Sequence, residues 1–202
     1  VIPLLPIYIF GTFLNLGMNE NFGDTMAAMG VVLVLSIVMT LVIVLLQYLL
    51  AGAVAGVNPF TALKNMLPAY FTALGTSSSA ATIPVTYEST LKNKVEEEVA
   101  GFVVPLCATI HLSGSMMKIT LYALSIVYMA SLDISGGQII GFILLLGIMM
   151  IAAPGVPGGA IMAAVGLLQS NLGFDESMVS LMIASYIVVD SFGTAANVTG
   201  DG

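Results

Sequence analysis

Between Thr25 and Lys64 the sequence holds no charged residue. Most of that interval, Met26 to Leu50, is Val, Leu, Ile and Met. It is long enough to cross a hydrocarbon core of about 30 Å. The rest of the chain fits the same solvent. Hydrophobic residues make up 58% of it and charged residues only 7%, whereas a water-soluble domain carries roughly a quarter charged residues. The expected fold class is an all-α polytopic membrane protein.

The net charge of −7 comes from eleven acids and four lysines, with no arginine. Nucleic acid requires a basic face, so it is excluded as a partner. Glu20, Asp24, Glu96 to Glu98, Asp133, Asp175 and Glu176 sit between apolar runs and read as solvated loops. Cys107 stands alone, which excludes a disulfide framework or cysteine metal cluster within the chain. Val1 lies inside an apolar stretch, and we expect a fragment preceded by further membrane segments.

Residues 1–18 read as the end of a spanning helix, Asn19 to Asp24 as a polar loop, and residues 26–52 as a full span. Gly56 to Pro59 marks a turn. Within 60–90, two short apolar arms, Met66 to Gly75 and Ala80 to Val85, flank Thr76 to Ser79. This predicts a re-entrant helical hairpin, allowed at membrane depth only where it lines a cavity or is buried in protein. Residues 99–131 could span but are interrupted from Thr109 to Ser115, which predicts an unwound helix. Residues 138–169 repeat the hairpin pattern around the breaker-rich tip Pro154 to Gly159. Residues 176–202 form a last helix running from apolar into polar sequence. Interrupted segments in matching positions of two halves point to a transporter binding site. If the first hairpin does not cross, Lys64, Lys92 and Lys94 share the cytoplasmic face. The second hairpin then enters from the opposite side.

Asp190, Asp201, His111 and Lys118 fall in segments expected within the membrane, where each costs at least about 2.5 kcal/mol unless paired or hydrated. The bland readings are snorkelling for Asp201 and Lys118 and a hydrogen-bonded imidazole for His111. From Asp190 the helical offsets to Thr194, Asn197 and Asp201 place all four on one stripe. A stripe of carboxylate, hydroxyl, amide and carboxylate suits an ammonium, a carboxylate and a hard cation together.

Four segments carry a family resemblance. Thr76 to Thr86 looks like the serine-rich first hairpin tip of the dicarboxylate/amino-acid:cation symporter family, and Pro105 to Ile110 resembles the approach to its unwound seventh helix. Gly155 to Met162 resembles its second hairpin tip, and Asn197-Val198-Thr199-Gly200-Asp201 its eighth-helix signature. The resemblance implies a multi-pass plasma-membrane carrier rather than an enzyme. Its members are homotrimers in which a transport domain moves like an elevator against a scaffold. It implies that Asp190 and Thr194 hold a substrate amino group and Asn197 its α-carboxylate, with Ser115 and Gly193 alongside. Backbone near Ser78, Ser79 and Val156 to Gly159 would close over the substrate. Asp201 with Asn197 and the Cys107 and His111 carbonyls would hold one sodium ion, and Thr109 with second-hairpin carbonyls another.

Departures from the family pattern shape the expectation. Acidic-substrate members carry an arginine at the Gly193 position, so a neutral or small amino acid is expected, with an acidic or dicarboxylate substrate as the alternative. Ser113 replaces an aspartate of the unwound helix, removing an anionic ligand of a third sodium site. Lys118 could replace the lost cation as a tethered ammonium paired with Asp201 or Asp190. Alternatively, His111 could exchange a proton and make coupling partly proton-driven. A channel would also use oxygen-lined re-entrant loops. An intramembrane hydrolase is disfavoured, because no Gly-x-Ser-x-Gly elbow exists.

Overall fold

The computed structural model describes residues 5–18 and 22–202, and among these every regular element is an α-helix. Residues 1–4 of the expected helix end, and Asn19, Glu20 and Asn21 of the expected polar loop, lie outside the described residues. Helix α1 is Leu5–Gly17. Helix α2 runs Phe22–Ala55, so Asp24 belongs to its first turn rather than to a loop. An acidic side chain suits that place, since the end of the helix carries exposed N–H groups and a positive partial charge. At 34 residues α2 is more than long enough to cross a membrane.

The turn after α2 forms as expected, with Gly56 at φ +68°. Asn58 then starts α3, Pro59–Asn65, by accepting from Phe60 N at 2.9 Å and Thr61 N at 3.3 Å. Helices α4, Leu67–Thr76, and α5, Ser79–Lys92, make a helical hairpin. Its tip is Ser77, in the left-handed region at φ 49°, and Ser78, whose hydroxyl caps α5 by accepting from Ala81 N at 3.2 Å. The second arm is longer than expected and runs through Pro84 without ending. Thr82, Thr86 and Thr90 each donate to the carbonyl four residues earlier, which lets a polar helix be buried. Asn65 ties the two ends of this region together by donating to Lys92 O and Asn93 Oδ1. Lys64 and Lys92 thereby share one end of the molecule, with Lys94 beside them.

Helices α6, Glu97–Ile110, and α7, Ser113–Met129, form a 33-residue run long and apolar enough to span. The interruption is only His111 and Leu112, narrower than the seven residues expected to unwind. Helices α8, Gly136–Ile151, and α9, Gly159–Leu172, make the second helical hairpin. Ser135 and Gln138 form a reciprocal cap at its start. None of the four hairpin helices reaches the roughly 20 residues that a span needs.

The expected single last helix is two: α10, Glu176–Val188, and α11, Asp190–Gly200, bent by 62° at Val189. Sequence offers no breaker there. The cause is a side chain from elsewhere in the chain, described below.

α11 is the hub. It packs against α2, α4, α5, α7 and α10, through fully buried small residues: Ala69 and Ala73 on α4, and Ala195 and Ala196 on its own surface. Small side chains let helix backbones approach closely where lipid supplies no hydrophobic drive between helices. A larger residue should break this seam. Ala196→Leu is expected to destabilise the protein by about 1–3 kcal/mol through overpacking, read as a lower thermal unfolding midpoint in detergent.

Candidate functional site

Four helices begin at the same place: α5 at Ser79, α7 at Ser113, α9 at Gly159 and α11 at Asp190. Residues at or near these starts line a small, partly open cavity of about 10 Å3, the room of a single water molecule. The first hairpin contributes Ser77 and Ser79, and the break between α6 and α7 contributes Leu112 and Ser115. The second hairpin contributes Pro154, Gly155, Val156 and Ala160. Tyr186, Asp190, Thr194 and Asn197 complete the wall.

The two hairpin tips touch each other over this cavity. Gly155 O accepts from Ser78 Oγ at 2.9 Å and from Ala80 N at 3.2 Å. The Ser78 side chain thus ties the two tips together. Gly155 must be glycine, because a Cβ there would collide with the carbonyl oxygen of Ala108.

Helix ends release backbone groups that need partners, and the polar residues of α11 supply them. Asn197 Oδ1 accepts from Gly114 N at 2.8 Å and Ser115 N at 3.3 Å, capping α7, while its Nδ2 donates to Ser115 Oγ at 2.9 Å. Asp190 Oδ2 accepts from Gly158 N at 2.7 Å, just before α9. Thr194 Oγ1 donates to Asp190 O at 3.1 Å.

Lys118 is the cause of the bend at Val189. Its side chain is completely buried, and its Nζ donates to Val189 O at 2.8 Å and Asp190 O at 3.2 Å. A side chain inserted into a helix's own hydrogen-bond ladder kinks it. The same ammonium lies 3.8 Å from Asp190 Oδ1 and 4.4 Å from the centre of the Tyr186 ring. It is seated over Gly193, where any Cβ would collide with Lys118 Cε. Of the two partners considered, Lys118 takes Asp190, and it does not snorkel. The expectation of a neutral substrate rested on Gly193 leaving the site without a cation. That basis falls, because Lys118 fills the space above Gly193.

Asp201 does not join the cavity. With Oδ1 2.8 Å from His111 Nδ1, it forms a second cluster in which His111 Nε2 lies 3.0 Å from Gln47 Nε2. Gln47 Nε2 also donates to Ser113 Oγ at 3.2 Å. An imidazole with its proton on Nδ1 donates to Asp201 and accepts from Gln47, as the bland reading of His111 anticipates. Gln47 Oε1 is buried without a hydrogen-bond partner. The Cys107 carbonyl accepts from His111 N at 2.9 Å. Thr109 is exposed, with its hydroxyl bonded to Leu106 O in its own helix, so its side chain belongs to neither cluster. Gly159 is packed against Pro154 rather than against the cavity.

Motif reading does not reach Ser77, Tyr186 or Gln47. Two signals could have found them: Tyr186 lies one turn before Asp190, and Gln47 is the only amide between Thr25 and Gly56.

Residues 1–202 match the family described as the sodium:dicarboxylate symporter family. The chain is 33% identical over 195 residues to excitatory amino acid transporter 1 of Rattus norvegicus, covering 96% of this chain and 35% of that one. It is 36% identical over 145 residues to excitatory amino acid transporter 3 of Bos taurus, with coverages of 71% and 28%. It is 34% identical over 154 residues to excitatory amino acid transporter 1 of Ambystoma tigrinum, with coverages of 76% and 28%. The chain thus spans about a third of the length of these relatives. With match and motifs both extending along its length, the chain belongs to the sodium:dicarboxylate symporter family.

Proposed function

We propose that this chain forms the substrate- and cation-handling part of a plasma-membrane symporter that couples sodium to a small carboxylate-bearing substrate. One observation carries the reading: four helix N-termini converge on a small polar cavity beneath two touching hairpin tips. Each N-terminus presents a positive partial charge and N–H groups, so their meeting point favours an anionic ligand group. Broken helices facing a shared site are how membrane carriers bind carboxylates. The family description names dicarboxylates, and the relatives' names include amino acids. Both classes carry the carboxylate that this field would attract.

In this reading α4–α5 and α8–α9 are re-entrant arms, and parting of their tips admits and releases the substrate. Asn197, Ser115 and Thr194 present polar groups to it, and Asp190 sets the charge of the wall. A cavity with room for about one water must expand on binding, which suits tips joined by two hydrogen bonds to Gly155 O. Sodium is assigned to the Asp201 cluster. There a buried carboxylate, the unpartnered Gln47 Oε1 and the carbonyls of the α6–α7 break offer the oxygen donors that hard cations take. We leave Thr109 out of this assignment, as its side chain is exposed. The exposed stripe Ile140, Leu144 and Ile148 on α8 suits lipid or a scaffold, in keeping with a homotrimer whose transport domain moves as an elevator.

Uptake of radiolabelled C4 dicarboxylates and amino acids into vesicles holding the full encoded chain tests the proposal. Saturable uptake that rises with an inward sodium gradient is expected. Flux that neither saturates nor responds to sodium would sink the reading and favour a channel. Asp201→Asn should raise the sodium concentration for half-maximal uptake by at least about tenfold, since a unit charge a few ångströms from a cation is worth more than about 1.4 kcal/mol. An unchanged sodium requirement would remove Asp201 from the cation site.

A further inference from the structure

The chain has four lysines, and Lys64, Lys92 and Lys94 are exposed. Lys118 alone is buried, at 0% exposure, and its surroundings are built to hold it. Two carbonyls at the α10–α11 bend accept from it, the Tyr186 ring lies beneath it, and glycine at position 193 leaves it room. Among the described residues, Asp190 is the only charged side chain lining the cavity. Both of its oxygens already have positive neighbours, Gly158 N at 2.7 Å and Lys118 Nζ at 3.8 Å.

We propose that Lys118 is a specificity-determining residue: a built-in ammonium that occupies Asp190 in place of a ligand's amino group, so that the site takes small carboxylates without an amine in preference to their amino-acid counterparts. The proposal deepens the symporter reading above and rests on it. Charge supports it first. Asp190 and Lys118 sum to zero, so the wall offers a ligand ammonium no uncompensated negative charge. A ligand ammonium would have to share a carboxylate that is already paired. Part of its hydration would go uncompensated, which is costly in a site with room for about one water. A carboxylate meets the opposite situation. Tyr186, fully buried and lining the cavity, holds its hydroxyl beside Ser115 and Asp190 without a well-formed hydrogen bond to either. That donor can serve an anionic oxygen, and an unmade hydrogen bond at a buried donor is costly to leave.

Lys118 acts through Asp190, so its test needs a readout that loss of packing alone would not move. The full encoded chain, reconstituted in vesicles, would be assayed with succinate and with aspartate, which share a carbon skeleton and differ by the amine. The native protein should favour succinate. Lys118→Met should shift the succinate-to-aspartate ratio toward aspartate by about tenfold or more, and Lys118→Arg should keep the native order. A ratio that Lys118→Met leaves unchanged, or a native preference for aspartate, would overturn the proposal. A second measurement does not depend on transport. Lys118→Met and Asp190→Asn should each lower the unfolding midpoint, and the double variant should recover part of the loss. Strictly additive losses would mean that Lys118 is not the counter-ion of Asp190. If the native protein takes up no member of the dicarboxylate and amino-acid panel, the symporter reading fails, while the unfolding cycle still decides the pairing.

Discussion

Helices that stop inside a membrane protein release N–H and C=O groups where no bulk water can take them. Every such end must find a partner in the protein itself, because each unsatisfied group costs several kcal/mol in hydrocarbon. In this chain the ends satisfy one another. Asn197 caps α7, Asp190 accepts from the residue preceding α9, Lys118 takes the carbonyls at the α10–α11 bend, and Gly155 O joins the two tips. The polar residues that look anomalous in so apolar a chain are the ones that make its broken helices possible.

The same arrangement creates the site. Bringing four helix breaks together concentrates backbone polar groups at one point, and the side chains that satisfy them become the cavity wall. Structure and recognition are therefore hard to separate here. Asn197 holds α7 through three hydrogen bonds and also faces the cavity. Asp201 belongs to a neighbouring cluster with His111, Gln47 and Ser113. Both polar clusters lie along one helix, α11, which packs against α2, α4, α5, α7 and α10.

Lys118 illustrates how a residue's meaning depends on its surroundings. A lysine in an apolar helix is a cost when unpaired and a structural element when its three donors find acceptors. Here two carbonyls and a carboxylate surround it, and Gly193 leaves the space it needs. A glycine that reads as the loss of a cation from α11 is, in three dimensions, the place where a cation from α7 is accommodated.

Much of the molecule was legible in the linear chain. The uncharged run after Thr25 marked a helix long and apolar enough to span, because a stretch without charge suits lipid over that length. The serine-rich and glycine-proline interruptions located the two hairpin tips, since those residues carry turn and cap chemistry of their own. Period alone placed Asp190, Thr194 and Asn197 on one stripe. Tertiary structure decided the rest. The bend at Val189 is made by a side chain 71 residues away, and the split of Asp201 from the cavity follows from where Gln47 and His111 meet it. Local sequence encodes helix period and breakers, but it carries no record of which distant donor will reach a carbonyl at a bend. Only the packed fold sets that.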